Sequence, residues 1–146
     1  MSTHTDEFSF LTAQAADLGL TAPLPRGERL TLTLPGGRKI SALRYGDAPP
    51  IVTFLHGGGL NAHTWDTTIL ALGMPALAID LAGHGDSQWR DDKTYNAQTL
   101  APDVAVALQS WADRPQLLVG QSLGGLTAAA VAANHPELVR SLVVID

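Results

Sequence analysis

Residues 120–124 read Gly-Gln-Ser-Leu-Gly and lie between a predicted strand, Gln116 to Val119, and a predicted helix, Leu123 to Asn134. In a strand–turn–helix context this G-x-S-x-G pattern predicts a nucleophile elbow centred on Ser122. The turn is so tight that larger side chains in place of the two glycines would collide. It holds the serine hydroxyl above the sheet, at the positive end of the helix. The alternative is a glycine-rich turn that contains an incidental serine.

Outward from this turn, predicted strands and helices alternate from residue 51 onward. Strands are predicted at Ile51–Leu55, Ala76–Asp80, Gln116–Val119 and Ser141–Ile145, and helices at Thr64–Leu72, Ala97–Ala112 and Leu123–Asn134. This order predicts a mostly parallel, doubly wound α/β sheet with right-handed crossovers. An antiparallel hairpin, Arg29–Leu34 and Ile40–Tyr45 around Pro35-Gly36-Gly37, precedes it. We expect residues 1–28 to form a short helical lead-in and residues 29–146 to belong to one domain.

The composition of the chain excludes several classes of protein. Of its 146 residues, 45% are hydrophobic and 16% are charged, and the net charge is −5. That balance excludes disorder and, with no cluster of Lys or Arg, argues against nucleic acid or a membrane surface as the partner. There is no cysteine, no signal-like N-terminus and no apolar run of membrane-spanning length. We therefore expect a cytoplasmic protein.

Together with the serine turn, three further segments resemble the α/β-hydrolase superfamily. His56-Gly57-Gly58-Gly59 follows the third predicted strand, with Trp65 at the spacing of an HG-x7-W motif. The segment from Asp80 to Ser87 matches D-x-x-G-H-G-x-S after the fourth strand. Residues 134–146, NHPELV followed by SLVVID with Arg140 between them, resemble the exit of the elbow helix into the sixth strand. The resemblance covers residues 29–146 and corresponds to the N-terminal portion of the family's catalytic domain.

The resemblance implies a serine hydrolase that acts on an ester or a similar activated carbonyl through an acyl-enzyme. It implies a small-molecule substrate and no cofactor. Ser122 would be the nucleophile, and the backbone N–H groups of Leu123 and Gly58 would hold the oxyanion. The residues implied at the substrate are His56, Gly57, Gly59, Trp65 and Gln121.

The resemblance also implies that parts of the catalytic machinery lie beyond the sixth strand. In the family's order the acid and the histidine base follow the serine. The lid, commonly inserted after the sixth strand, would also be missing from a sheet truncated there. Asp146 is a candidate acid, or else an aspartate that caps the strand end. We expect the isolated chain to show little turnover, and the exposed sixth strand to self-associate or to be completed by a partner.

None of the histidines in the chain occupies the family's base position. His4 lies in the lead-in, and His135 follows the far end of the elbow helix. His56 and His84 are expected to brace loops, and His63 to start a helix or line a pocket.

Three alternatives remain open at this point. Residues 57–62 match G-x-G-x-x-A, and Asp80 follows at the spacing of a dinucleotide-binding unit. The chain could instead be a catalytically inactive ligand-binding or interaction module of the same fold. The weakest alternative is a metal site, because His63 with Asp66 and His84 with Asp86 are only pairs of ligands.

Overall fold

The computed structural model describes residues 6–146, so His4 lies outside the described residues. Its centre is a six-stranded sheet with spatial order β1-β2-β4-β3-β5-β6. The strands are β1 (Gly27–Thr33), β2 (Lys39–Tyr45), β3 (Val52–Leu55), β4 (Ala76–Asp80), β5 (Gln116–Gln121) and β6 (Val139–Ile145). β2 pairs antiparallel with both β1 and β4, whereas the pairs β3–β4, β3–β5 and β5–β6 are parallel. The predicted mostly parallel sheet with an antiparallel N-terminal hairpin is confirmed.

Four α-helices lie within the described residues: α1 (Leu11–Asp17), α2 (Asp66–Leu72), α3 (Ala97–Trp111) and α4 (Leu123–Asn134). Short 3₁₀ turns, Ala62–Trp65 and Pro136–Leu138, precede α2 and β6. The helix predicted from Thr64 thus begins as a 3₁₀ turn, whose N-cap Asn61 accepts the His63 N–H. Helix α3 begins at a capping box formed by Asn96 and Thr99. No helix in this part of the chain is long and apolar enough to cross a membrane.

The sheet buries side chains on both of its faces. Successive residues of a strand point to opposite sides, so Leu55 joins the core under α3 and α4 while Phe54 joins the core against α1 and α2. The first core includes Leu100, Val104 and Ala128 from the helices. Strands covered on both faces read as continuous apolar runs, which is why β3 and β4 could be found in the sequence.

The lead-in packs against the sheet. Leu11 and Ala15 of α1 are buried in the second core. The Phe8 ring meets Tyr45 edge-on with centroids 5.8 Å apart. It also lies over Gly27, where a Cβ would be 2.3 Å from the ring. Because β1 begins at Gly27, the boundary expected after residue 28 falls within that strand.

Strand β6 begins at Val139, two residues earlier than predicted. Gln116 pairs with Val139, but Leu117 pairs with Ser141, so Arg140 is an extra residue at an irregularity in the ladder. The strand is predicted from the apolar run that follows Ser141, and the charged Arg140 at this irregularity separates Val139 from that run. The four apolar side chains that follow are substantially exposed: Leu142 39%, Val143 43%, Val144 54% and Ile145 42%.

Candidate active site

Ser122 occupies the turn between β5 and α4 with φ +52° and ψ −117°. This backbone conformation is unfavourable for a residue with a Cβ. The Ser122 N–H donates to the Ile145 carbonyl at 2.9 Å, and its own carbonyl accepts the Leu126 N–H at 3.0 Å. The strained residue is therefore held by β6 on one side and by α4 on the other. Ser122 is exposed although its neighbours Gly120 and Gly124 are buried.

The turn requires glycine at both positions because other backbone atoms lie too close for a Cβ. A Cβ on Gly120 would lie 2.3 Å from the Gly124 carbonyl oxygen, and a Cβ on Gly124 would lie 2.2 Å from the Leu55 carbonyl oxygen. The predicted crowding is therefore present, but at Gly124 the obstacle is the end of β3. The next residue, Gly125, is also tight, since its Cβ would be 2.9 Å from Val144 Cγ1. Sequence analysis did not single out that third glycine.

Residues 56–61 form the loop that follows β3, and they lie beside the serine turn. Parallel neighbours such as β3 and β5 end at the same edge of a sheet, where ligands of open α/β folds bind. A Cβ on Gly58 would lie 3.7 Å from Leu123 Cδ2, so the two predicted oxyanion residues are neighbours. Leu123 is the first residue of α4, and its N–H has no partner within the helix. Among residues 6–146 neither this N–H nor that of Gly58 makes a hydrogen bond.

Of the other residues predicted at the substrate, Gly57, Gly59 and Gln121 lie at the loop after β3, whereas Trp65 lies in the core. The Gln121 side chain packs on Gly57, where a Cβ would be 2.8 Å from Gln121 Oε1, so both lie at the loop. The Gly59 N–H is already used, because it donates to His84 Nε2 at 3.0 Å. Trp65 lies elsewhere: its indole is 6% exposed and packs against Phe54 in the second core, with ring centroids 4.8 Å apart. The structure thus places Trp65 among core residues and not on an open surface beside Ser122.

The two histidines expected to brace loops do so. The fully buried His56 donates from Nδ1 to the Gly57 carbonyl at 2.7 Å, and its Nε2 accepts the Leu81 N–H at 3.0 Å. Burial lowers the pKa of His56. His84 likewise donates from Nδ1 to the Ala82 carbonyl at 2.9 Å, and its Nε2 accepts the Gly59 N–H at 3.0 Å.

Asp80, at the end of β4, connects the loops that follow β3 and β4. Its buried carboxylate accepts the Ala62 N–H at 2.7 Å, the Asp86 N–H at 3.1 Å and a bond from Arg29 Nη1 at 2.6 Å. The dinucleotide-binding alternative is therefore wrong in this structure, because Asp80 is only 1% exposed and its carboxylate is directed at these protein groups, so it is not presented to a ribose hydroxyl. Gly85 leaves room for it, since a Cβ there would be 2.3 Å from Asp80 Cγ.

His63 is the centre of a hydrogen-bonded cluster of which sequence analysis named only the pair with Asp66, as candidate metal ligands. His63 contacts Asp66 through Nδ1 and Glu7 through Nε2, both at 2.8 Å. Tyr45 donates its hydroxyl to Asp66, and Arg29 pairs with Glu7. The hydrogen bond to Asp66 is the main cause that raises the pKa of His63. Glu7 and His63 are 56 residues apart, so no local pattern could have predicted their contact.

No histidine among residues 6–146 forms a hydrogen bond with Ser122 or Asp146. His135 follows α4 and lies beside Glu137, over roughly 15 Å from Ser122 by the helical rise. Asp146 follows Ile145, whose carbonyl is bonded to the Ser122 N–H, so it lies at the edge of the turn. Its role as the acid stays a prediction. The same described residues contain no group of three or more His, Asp or Glu side chains that could hold a metal ion.

A family model described as alpha/beta hydrolase fold matches residues 50–146, which include the serine turn and both loops. The chain belongs to the α/β-hydrolase family. It is 49% identical over 144 residues to esterase Rv0045c of Mycobacterium tuberculosis, a match that covers 99% of this chain and 47% of that protein. A solved structure of that esterase superposes with a TM-score of 0.90 and is covered to 48%.

Two further relatives are named for different esterase activities. A pimeloyl-(acyl-carrier protein) methyl ester esterase of Neisseria meningitidis is 39% identical over 98 residues, covering 66% of this chain and 30% of that protein. A solved thioesterase domain from the curacin biosynthetic pathway has a TM-score of 0.70 at 30% identity, covering 80% of this chain and 43% of that one. This α/β-hydrolase chain thus spans about half the length of the esterase most similar to it among these, and less of the others.

Proposed function

We propose that this chain carries the nucleophile and the oxyanion-binding groups of an enzyme that hydrolyses an ester or a similarly activated carbonyl. The observation that carries the proposal is the strained, exposed Ser122 beside the free N–H groups of Leu123 and Gly58. The named activities of the relatives, an esterase, a methyl ester esterase and a thioesterase, support a carbonyl substrate with a leaving alcohol or thiol.

The proposed reaction proceeds through an acyl-enzyme. Ser122 Oγ attacks the carbonyl carbon as its proton passes to a base, and the carbonyl oxygen becomes negatively charged. The N–H groups of Leu123 and Gly58 donate to that oxygen, and the N-terminus of α4 adds its positive end. The tetrahedral intermediate expels the alcohol or thiol and leaves an ester on Ser122, which water then hydrolyses. Loss of one oxyanion donor typically costs about 10²–10³ in rate.

The proposal also holds that the base that accepts the Ser122 proton is supplied from outside residues 6–146. His56 and His84 are engaged with loop backbone, His63 with two carboxylates, and His135 lies at the far end of α4. We therefore expect little turnover of a p-nitrophenyl ester by the isolated chain. Steady hydrolysis that disappears in Ser122→Ala would contradict this part of the proposal.

A fluorophosphonate probe tests the nucleophile separately from turnover. We expect slow but selective labelling of Ser122, abolished by Ser122→Ala and unchanged by the control Ser110→Ala, which alters an exposed serine of α3. Labelling of Ser122 no faster than that of Ser110 would contradict the proposal and favour an inactive ligand-binding module.

We also propose that β6 acts as a pairing edge and that the isolated chain self-associates through it. Among residues 6–146 this strand pairs only with β5, and its apolar side chains are exposed. Exposed apolar edges favour pairing with another strand. A cytoplasmic location belongs to the same set of proposals and is supported by the absence of cysteine.

A further inference from the structure

Two histidines connect the loops after β3 and β4 in a reciprocal arrangement. His56 belongs to the first loop and accepts the N–H of Leu81 from the second loop at 3.0 Å. His84 belongs to the second loop and accepts the N–H of Gly59 from the first loop at 3.0 Å. The two rings lie side by side with centroids 4.9 Å apart. Each loop is thus held by an imidazole of the other.

The partners of each ring determine its protonation. Nδ1 of His56 faces the Gly57 carbonyl at 2.7 Å, and Nδ1 of His84 faces the Ala82 carbonyl at 2.9 Å. A carbonyl can only accept, so each Nδ1 carries the proton, and each Nε2, which faces an N–H, carries none. Both imidazoles are therefore neutral and in the same tautomer. A proton added to either Nε2 removes the acceptor and breaks the link.

The link at Gly59 bears on the proposed oxyanion-binding groups. Gly59 has φ +79°, and its N–H is used by His84. The N–H of the preceding residue, Gly58, has no hydrogen-bond partner among residues 6–146, and Gly58 packs against the Leu123 side chain. Fixing the Gly59 N–H fixes the orientation of the Gly58–Gly59 peptide and limits movement of the neighbouring Gly58 N–H.

We propose that His84 is a positioning residue: by accepting the Gly59 N–H it sets the loop that presents the Gly58 N–H beside Leu123, and it does so only while neutral. The significance of the Gly58 N–H rests on the proposed function, whereas the link itself does not. The titratable groups that act on the fully buried His56 are His84 and Asp80, and Asp80 is paired with Arg29. Burial lowers the pKa of His56.

Nuclear magnetic resonance of the ¹⁵N-labelled chain tests this proposal. At pH 8 we expect both rings to show the Nδ1–H tautomer. His84→Ala should speed hydrogen exchange of the Gly59 amide about tenfold, as expected for loss of one hydrogen bond. The Leu81 amide, held by His56, should change little. The control His135→Ala should leave both amides unchanged.

A conservative variant completes the test. In His84→Gln the amide oxygen can still accept the Gly59 N–H, so we expect exchange of that amide to be as slow as in the wild type. An Nε2–H tautomer at His84, unchanged Gly59 exchange in His84→Ala, or Gly59 exchange in His84→Gln as fast as in His84→Ala would overturn the proposal. None of these measurements requires Ser122 to react, so they fail or succeed independently of the labelling test.

Discussion

The substitution Gly124→Ala tests whether backbone crowding defines the serine turn. The new Cβ would lie 2.2 Å from the Leu55 carbonyl oxygen and 2.5 Å from the His56 carbonyl oxygen. Both obstacles are backbone atoms at the end of a central strand, so no side chain can rotate to relieve the contact. Overpacking of this kind costs about 1–3 kcal/mol or more. Alanine in place of a helical glycine returns up to about 1 kcal/mol.

The free-energy cost of this contact exceeds the gain in helix propensity, so we expect Gly124→Ala to lower the free energy of unfolding by about 2 kcal/mol or more. For a chain of this size that corresponds to a fall in Tm of roughly 4–8 °C. Gly125→Ala is the matched control in the same helix, because its closest obstacle is the side chain of the exposed Val144, at 2.9 Å. Urea unfolding of the three proteins measures the difference. Gly124→Ala as stable as the wild type, or more stable than Gly125→Ala, would refute the argument.

Three further predictions concern the polar network and the sheet edge. In urea unfolding, Asp80→Asn should destabilise the fold by about 3 kcal/mol, because it breaks a buried ion pair with Arg29. The control Asp86→Asn changes an exposed carboxylate and should cost under about 0.5 kcal/mol. The pKa of His63 is raised in the folded chain, so the stabilisation from its protonated form is fully present below about pH 6.5 and is lost as the pH rises through the raised pKa. The difference in unfolding free energy between wild type and His63→Gln should therefore shrink between pH 6 and 8. A difference that grows with pH would contradict this. Val143→Lys should reduce self-association measured by sedimentation velocity, and a wild-type chain that sediments as a monomer would contradict the pairing role of β6.

The sequence predicted the features that depend on local pattern. The apolar runs of β3 and β4, the glycines around Ser122 and the length of α4 all reflect constraints within a few residues. Even there, one strand boundary was displaced, because the charged Arg140 at the register shift separates Val139 from the apolar run that predicts the strand.

The sequence could not predict features that depend on distant contacts. Arg29 and Asp80 are 51 residues apart, and nothing in either neighbourhood indicates that they pair. The spacing of Trp65 suggested a place at the substrate, but packing against Phe54 places its ring in the core. The reciprocal link between His56 and His84 requires both loops in place, although each histidine alone was correctly expected to brace a loop.

The mass of the chain after exposure to an activated acyl ester tests the central claim most directly, because an acyl-enzyme on Ser122 is what the proposed chemistry requires. With no base among residues 6–146, solvent must accept the Ser122 proton, so we expect slow acylation by the activated ester and still slower hydrolysis of the unactivated ester that forms. Up to one acyl group per chain should then accumulate, mapped to the peptide that contains Ser122 and absent in Ser122→Ala. Acylation that persists in Ser122→Ala, or that spreads over lysines and other serines without preference, would contradict the account.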